Sequence, residues 1–353
     1  MSDVIKSAVR ALRAYTLSPH RASVKLNQNE NPWDAPERIK DEVLRRFAAR
    51  KWSRYPDFIP TSLHERLAEF AHWKPDGIIA GNGSNELIQA LLMVTIAAGK
   101  TVLISEPTFA LYRQVATVLG GDVLSVPLTE DLQYDGAALQ RMVEEKQPDV
   151  TIICSPNNPT GCVIDDDQLR SLLRTSRGLV VIDEAYHEFA EHTTVPLLNE
   201  HPNLIVLRTF SKAMAFAALR LGYLLAAPEL AREIRKAVLP YNLNAFSQIA
   251  AEVAIENYES ELRPRITRII EERARLVAEL AKVRGLEPVD SRGNFMVIRS
   301  AIDPKKIFSD LLAHDILVRD VSGYPMLRDY FRVCVGTPEE NDYLLEKIRE
   351  TCS

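Results

Sequence analysis

Lys212 stands in the run Arg208-Thr209-Phe210-Ser211-Lys212-Ala213, directly after the apolar stretch 204–208. An amine placed there is drawn out of water, which lowers its pKa and favours attack on a carbonyl to give a Schiff base. Thr209 and Ser211, with Arg220 from Leu219-Arg220-Leu221-Gly222, form a hydroxyl-plus-guanidinium set suited to a phosphate dianion. Asp183 ends the apolar run Val180-Val181-Ile182, where a carboxylate is costly to bury unless it meets a cation. Tyr186, three residues on, presents its hydroxyl toward the same ligand. Gly81-Asn82-Gly83-Ser84-Asn85-Glu86 opens a helix, and glycines there let backbone N–H groups approach an anion at the positive end of the helix. Ser155-Pro156-Asn157-Asn158-Pro159-Thr160-Gly161 follows the stretch 150–154, and its prolines and glycine hold an asparagine amide rigidly at a strand end.

Taken singly, each cluster has an ordinary alternative: helix capping, a plain loop, an N-cap aspartate, a surface lysine. Taken together they call for one ligand with an aldehyde, a ring nitrogen, a phenolate oxygen and a phosphate. Pyridoxal 5′-phosphate (PLP) carries all four, and a Schiff-base lysine with an aspartate partner for the pyridinium nitrogen is its usual setting. The glycine loop is neither G-x-G-x-x-G nor a Walker A sequence, which disfavours dinucleotide and nucleoside triphosphate ligands.

Positioning these groups requires strands whose ends share one edge. Short β-rich runs at 102–105, 123–126, 150–154, 179–183 and 204–208 alternate with helix candidates at 85–98, 111–119, 136–146 and 166–175. That alternation predicts an α/β fold with a mostly parallel sheet flanked by helices, whose ligands sit at the carboxyl ends of the strands. After about residue 240 a charged helical tract runs over 245–284, followed by strand candidates at 295–299, 317–320 and 331–335. The pattern predicts an N-terminal arm (1–30), a large cofactor domain (31–244) and a smaller α+β domain (245–353). The basic, amphipathic start of the chain is expected to be a surface helix packed on its own domain or on a partner subunit.

With 353 residues, 43 Lys+Arg against 48 Asp+Glu and a net charge of −5, the chain lacks the basic excess of a nucleic-acid binder. Four cysteines make no disulfide framework, and the apolar run 87–98 is too short to span a bilayer, so a cytoplasmic protein is expected. No metal site is expected, because Cys154 and Cys162 flank a rigid turn with no histidine beside them.

The order of these motifs resembles the fold-type I PLP-dependent aminotransferases. Asp183 follows Asn158 by 25 positions, Lys212 follows Asp183 by 29, and Arg220 follows Lys212 by 8. Leu26-Asn27-Gln28-Asn29-Glu30-Asn31-Pro32, Arg54-Tyr55-Pro56-Asp57, Pro107-Thr108-Phe109, Pro240-Tyr241-Asn242-Leu243-Asn244 and Phe331-Arg332-Val333-Cys334-Val335-Gly336-Thr337 are similar to the histidinol-phosphate branch. The resemblance implies that Lys212 forms the Schiff base and moves the α-proton. It assigns Asp183 to the ring nitrogen, Asn158 and Tyr186 to the ring's phenolate oxygen, and Phe109 to stacking on the ring. The phosphate falls to Ser84, Asn85, Thr209, Ser211 and Arg220, with Tyr55 reaching in from the other subunit of a homodimer. Arg332, assisted by Arg319, takes the substrate carboxylate or phosphate.

Ala215 and Ala218 stand where the branch has glycines, Asn85 where Asp is common, and His20 where an aromatic lines the substrate site. The implied activity is amino transfer between glutamate/2-oxoglutarate and imidazole acetol phosphate/histidinol phosphate, in histidine biosynthesis. An aromatic amino-acid aminotransferase and a threonine-phosphate decarboxylase are the alternatives within the cofactor class. A non-catalytic PLP-binding sensor is disfavoured, because no basic helix-turn-helix precedes the domain and Lys212 is present.

Overall fold

The computed structural model describes residues 4–12 and 19–352. Its central sheet has seven strands, in spatial order Ile78–Gly81, Gly222–Ala226, Leu204–Thr209, Leu179–Asp183, Val150–Cys154, Thr101–Glu106 and Asp122–Pro127. Every strand runs parallel except Gly222–Ala226, which is antiparallel to both neighbours. The four central strands are buried along their length except at Leu179, because helices cover both faces of the sheet. The five expected strands and four expected helices are present within a residue or two, the first helix excepted: it spans Ser84–Thr95.

Parallel register brings the ends of these strands level. Cys154 pairs with Asp183, Asp183 with Leu207, and Thr209 with Gly222, which pairs in turn with Gly81. Polar residues just past the strand ends therefore share one edge. Gly222 is required there: a Cβ on it would lie 2.4 Å from the Ser84 nitrogen. A side chain would push apart the strand and the helix start that define the edge.

The smaller sheet is antiparallel throughout, in the order Arg319–Asp320, Tyr330–Cys334, Phe295–Ser300, Leu286–Pro288. The expected strand over 317–320 is divided. Ile316–Leu317 pairs in parallel with Val24–Lys25, and Arg319–Asp320 joins the small sheet. This pairing ties the N-terminal segment to the small domain.

The tract 245–284 is three pieces: Ala245–Glu256, a π-helical turn Tyr258–Leu262, and Arg263–Leu280 with proline in its first turn. The first piece packs on the helices Glu37–Ala48 and Thr61–Ala71, burying Ile249, Ala250, Ala251, Val253 and Ala254 in the core of the large domain. The last buries Ile266, Ile269, Leu276 and Leu280 in the small-domain core. The two pieces on either side of the π-helical turn thus pack into different hydrophobic clusters. At the N-terminus, helix Ser7–Ala11 lies along Leu111–Leu119, and Lys6 Nζ donates to the Val118 carbonyl at 3.0 Å. Asp3, Arg13 and Ser18 lie outside the described residues.

Asp183 and Glu184 leave their strand toward opposite faces, as successive residues do. Asp183 faces the cleft, whereas Glu184 turns into the interior and accepts from Arg208 Nε at 3.0 Å. Thr194 donates to Glu184 through its backbone N–H, and Arg208 Nη2 donates to Thr193 at 2.6 Å. Burial opposes the Glu184 charge, but Arg208, His187 and the Thr194 donors overcome it and hold the carboxyl below its ordinary pKa. Removing the cation leaves a buried carboxylate uncompensated. Arg208→Met is expected to cost about 3–5 kcal/mol of unfolding free energy, read from urea denaturation; a loss below about 1 kcal/mol would contradict the pairing.

Candidate active site

A cleft of about 350 Å³ lies between the strand edge and the small sheet. Its lining includes Lys212, Asp183, Asn158, Tyr186, Ser84, Asn85, Phe109, Thr209, Ser211, Arg220, Arg319 and Arg332. Two sequence-derived candidates are elsewhere. His20 is exposed, its ring 6.0 Å from that of Phe308, on the helix Pro304–Ala313. Tyr55 is 78% exposed and stacks on Tyr241 with ring centroids 4.6 Å apart, outside this chain's own cleft.

Lys212 Nζ donates to the Gln28 carbonyl at 3.0 Å. Burial pushes the amine down to about 8, with Arg332 and Arg220 acting in the same sense and Cys334 and Glu30 against it. Asp183 is 3% exposed. Burial raises its carboxyl to about 6, opposed by the Tyr112 hydroxyl and the Ala185 N–H, while neighbouring Glu184 adds to the rise. One cleft therefore holds an amine that is easily neutral and a carboxylate still ionised at neutral pH.

The two asparagines of the Asn-Asn-Pro-Thr-Gly turn have separate tasks. Asn157 builds the turn: its side-chain amide donates to the Pro107 carbonyl and to Thr160 Oγ1, and its Oδ1 accepts from Thr108 at 2.7 Å. Asn158 is thereby left facing the cleft, where its Oδ1 accepts from Arg332 Nη1 at 2.6 Å.

At the helix start, Gly83 adopts φ +79°, and no side chain caps the first turn of Ser84–Thr95. The first N–H groups of a helix have no partner within it, so those of Ser84 and Asn85 open toward the cleft. A Cβ on Gly83 would lie 2.6 Å from Arg220 Nη2, so only glycine lets the guanidinium lie over the helix start. Arg220 Nη1 donates to Ser211 Oγ at 3.3 Å, and the Ser211 N–H donates to Thr209 Oγ1 at 3.2 Å. Together these groups line a compact anion cradle.

Arg319 and Arg332 are directly opposite one another on adjacent antiparallel strands. Like charges so placed repel unless an anion lies between or beside them. Arg332 is 7% exposed, its Nη2 donates to the Asn27 carbonyl at 2.7 Å, and its buried Nε has no hydrogen-bond partner among the described residues. Its guanidinium also sits over the Phe295 ring at 5.3 Å.

Tyr112, Asn27, Gln28, Asn29 and Tyr324 also line the cleft, without having been assigned roles from sequence. Tyr112 donates to Asp183, and Asn29 Nδ2 donates to the Tyr186 hydroxyl at 3.0 Å. The asparagine-rich run 27–31 is their visible signal. Nothing local marks Tyr112 or Tyr324.

Ala215 carries φ +61°, a conformation costly for any residue with a Cβ. Ala215→Gly is therefore expected to raise stability by about 0.5–1 kcal/mol in thermal unfolding, whereas a drop would show the alanine methyl to be packed. Lys212 supplies a second test. In competitive acetylation of the protein, its reactivity should rise with pH around a midpoint near 8. A midpoint at the ordinary lysine value would contradict the burial account.

A model of the class I and II aminotransferase family matches residues 21–348. Over 348 residues the chain is 38% identical to a histidinol-phosphate aminotransferase of Chlorobaculum parvum, covering 98% of each chain. It is 40% identical to histidinol-phosphate aminotransferase 1 of Carboxydothermus hydrogenoformans, covering 98% of this chain and 97% of that one. The histidinol-phosphate aminotransferase structure from Clostridium acetobutylicum superposes with a TM-score of 0.85 at 25% identity, over 93% of this chain and 98% of that one. The Sinorhizobium meliloti enzyme, in complex with pyridoxal-5′-phosphate, has the same fold at a TM-score of 0.88 and 23% identity, covering 99% of this chain and 97% of that one.

Proposed function

The chain belongs to the class I and II aminotransferases, and on that premise we propose that it transfers an amino group between glutamate/2-oxoglutarate and imidazole acetol phosphate/histidinol phosphate. The observation that carries the substrate choice is the Arg319–Arg332 pair in register beside Lys212. An arginine fork binds a carboxylate or a phosphate bidentately, so one site accepts the amino donor's distal carboxylate in one half-reaction and a phosphate ester in the other. The relatives at 37–40% identity over nearly the full chain bear the corresponding name.

The cleft fits PLP on its own terms. The helix start without a side-chain cap and the Gly83 position that a Cβ would close against Arg220 are features that the cofactor's phosphate would satisfy. Ser84 and Asn85 N–H groups, Thr209, Ser211 and Arg220 would hold the phosphate. Asp183 would hold the ring nitrogen's proton, Asn158 and Tyr186 the phenolate oxygen, and Phe109 one face of the ring. When bound, the cofactor supplies an aldehyde for the amine and a protonated ring that withdraws electrons from the substrate's α-carbon.

The chain's own groups do the rest. Lys212 Nζ, neutral without leaving the physiological range, accepts the α-proton and returns it on the way to product. Asp183, kept ionised by two donors, keeps the ring nitrogen protonated. Arg332 fixes the substrate at one end, so that its α-carbon stays within reach of Lys212.

A homodimer working in the cytoplasm belongs to the same proposal. Trp52, Tyr55, Phe58 and Leu239 are 74%, 78%, 64% and 72% exposed. Such exposed apolar side chains are characteristic of a surface that another subunit covers, and across it Tyr55 of one subunit would reach the phosphate held by the other.

Lys212→Ala is expected to abolish transamination in a coupled assay with glutamate and histidinol phosphate. Arg332→Ala should raise KM for both together by about 10–100-fold, the worth of a charge-assisted contact; an effect on neither would place the anion elsewhere. Release of CO2 from threonine phosphate, or a preference for phenylalanine or tyrosine over histidinol phosphate, would overturn the substrate assignment.

A further inference from the structure

Tyr112 is fully buried on the helix Leu111–Leu119, one turn beyond Phe109, whose ring meets it edge-on at 5.6 Å. Its hydroxyl donates to Asp183 Oδ2 at 2.6 Å, while the Ala185 N–H donates to Asp183 Oδ1 at 3.1 Å. Each carboxylate oxygen is thus fixed by one donor, on a side chain that is only 3% exposed. We propose that Tyr112 is a positioning residue that sets both the orientation and the charge of Asp183 through this single hydrogen bond.

The physical reasoning is direct. A carboxylate buried as Asp183 is, beside Cys154 on the neighbouring strand, would tend to take up a proton, because the charged form has lost its water. Hydrogen bonds to the ionised form oppose that tendency, and those involving a charged partner are the stronger ones. Burial leaves Asp183 near 6 with the Tyr112 donor in place. Without that donor, Asp183 keeps one N–H partner and its midpoint moves toward neutrality.

Lys212 lies in the same cleft and titrates higher, near 8; the titratable groups acting on Asp183 besides Tyr112 are Cys154, Tyr134, Glu184 and Tyr186. The Cys154 thiol and the Tyr134 and Tyr186 hydroxyls are pushed upward by burial and stay protonated, so none of them changes charge where Asp183 does. Glu184 is committed to Arg208 on the opposite side of the strand and is already ionised. Tyr112 is therefore the neighbour that can tune Asp183 without carrying charge itself. The consequence for the cofactor's ring nitrogen rests on the PLP reading above, whereas the link between Tyr112 and Asp183 does not.

The test titrates PLP-free protein labelled with carbon-13 at the aspartate carboxyl, with Asp183→Asn used to assign the resonance. Tyr112→Phe should raise the Asp183 midpoint by about one pH unit or more. Tyr134→Phe removes a neighbouring buried hydroxyl, one that donates to the Cys154 carbonyl, and should leave the midpoint in place. In the wild type, the ring-carbon resonance of Tyr112 should move with the same midpoint as Asp183, a measurement that needs no variant to fold. An unchanged midpoint in Tyr112→Phe, an equal rise in Tyr134→Phe, or a Tyr112 resonance indifferent to the Asp183 titration would each overturn the proposal. With PLP added, Tyr112→Phe should lose affinity on acidification at a higher pH than the wild type, because Asp183 is neutralised earlier. Failure of the wild type to take up PLP would count against the cofactor reading alone.

Discussion

An amine and a carboxylate are buried in one cleft with opposite requirements: Lys212 must give up its charge easily and Asp183 must keep its own. Desolvation acts on both in the same way, disfavouring whichever form is charged. The surroundings separate them. Among the described residues Lys212 has no carboxylate in hydrogen-bond contact; its amine donates to the Gln28 carbonyl and lies near two arginines. Asp183 receives two donors, neither of which bears a charge. Most of the fold around the cleft maintains that asymmetry.

The sheet does so by register. Level strand ends place Asp183 between the Asn158 turn and the Lys212 loop, and the reversed strand Gly222–Ala226 returns the chain beside the helix start at Ser84. The small sheet contributes Arg319 and Arg332, opposed on neighbouring strands where like charges repel unless an anion lies between them. The segment 24–31 joins the two domains. It pairs with Ile316–Leu317, accepts from Lys212 and Arg332 through backbone carbonyls, and steadies Tyr186 through Asn29. Binding an anion between the arginines thus acts on the same short segment that holds the lysine.

Much of this was legible in the sequence wherever a residue and its neighbours along the chain carry the chemistry. Lys212, Asp183, Asn158, Ser84 and Arg220 lie in short motifs at strand ends, and the structure brings them to one cleft. What escaped depends on partners distant in sequence. Tyr112 meets Asp183 across 71 positions and Asn29 meets Tyr186 across 157, distances over which no local pattern speaks. His20 fails for the complementary reason: its position in the chain suggested the substrate site, but the imidazole lies beside Phe308 instead. The helical tract after 245 has a continuous charge pattern, yet Asn257 and Pro264 break it, and the first piece packs on the helices Glu37–Ala48 and Thr61–Ala71.

The central claim is that Lys212, the lysine lining this cleft, presents an easily neutralised amine to an aldehyde held there. Borohydride reduction of the protein after addition of PLP, followed by peptide mapping, tests it most directly. The account predicts a single stable adduct on Lys212. An adduct on another lysine, or none at all, would contradict it.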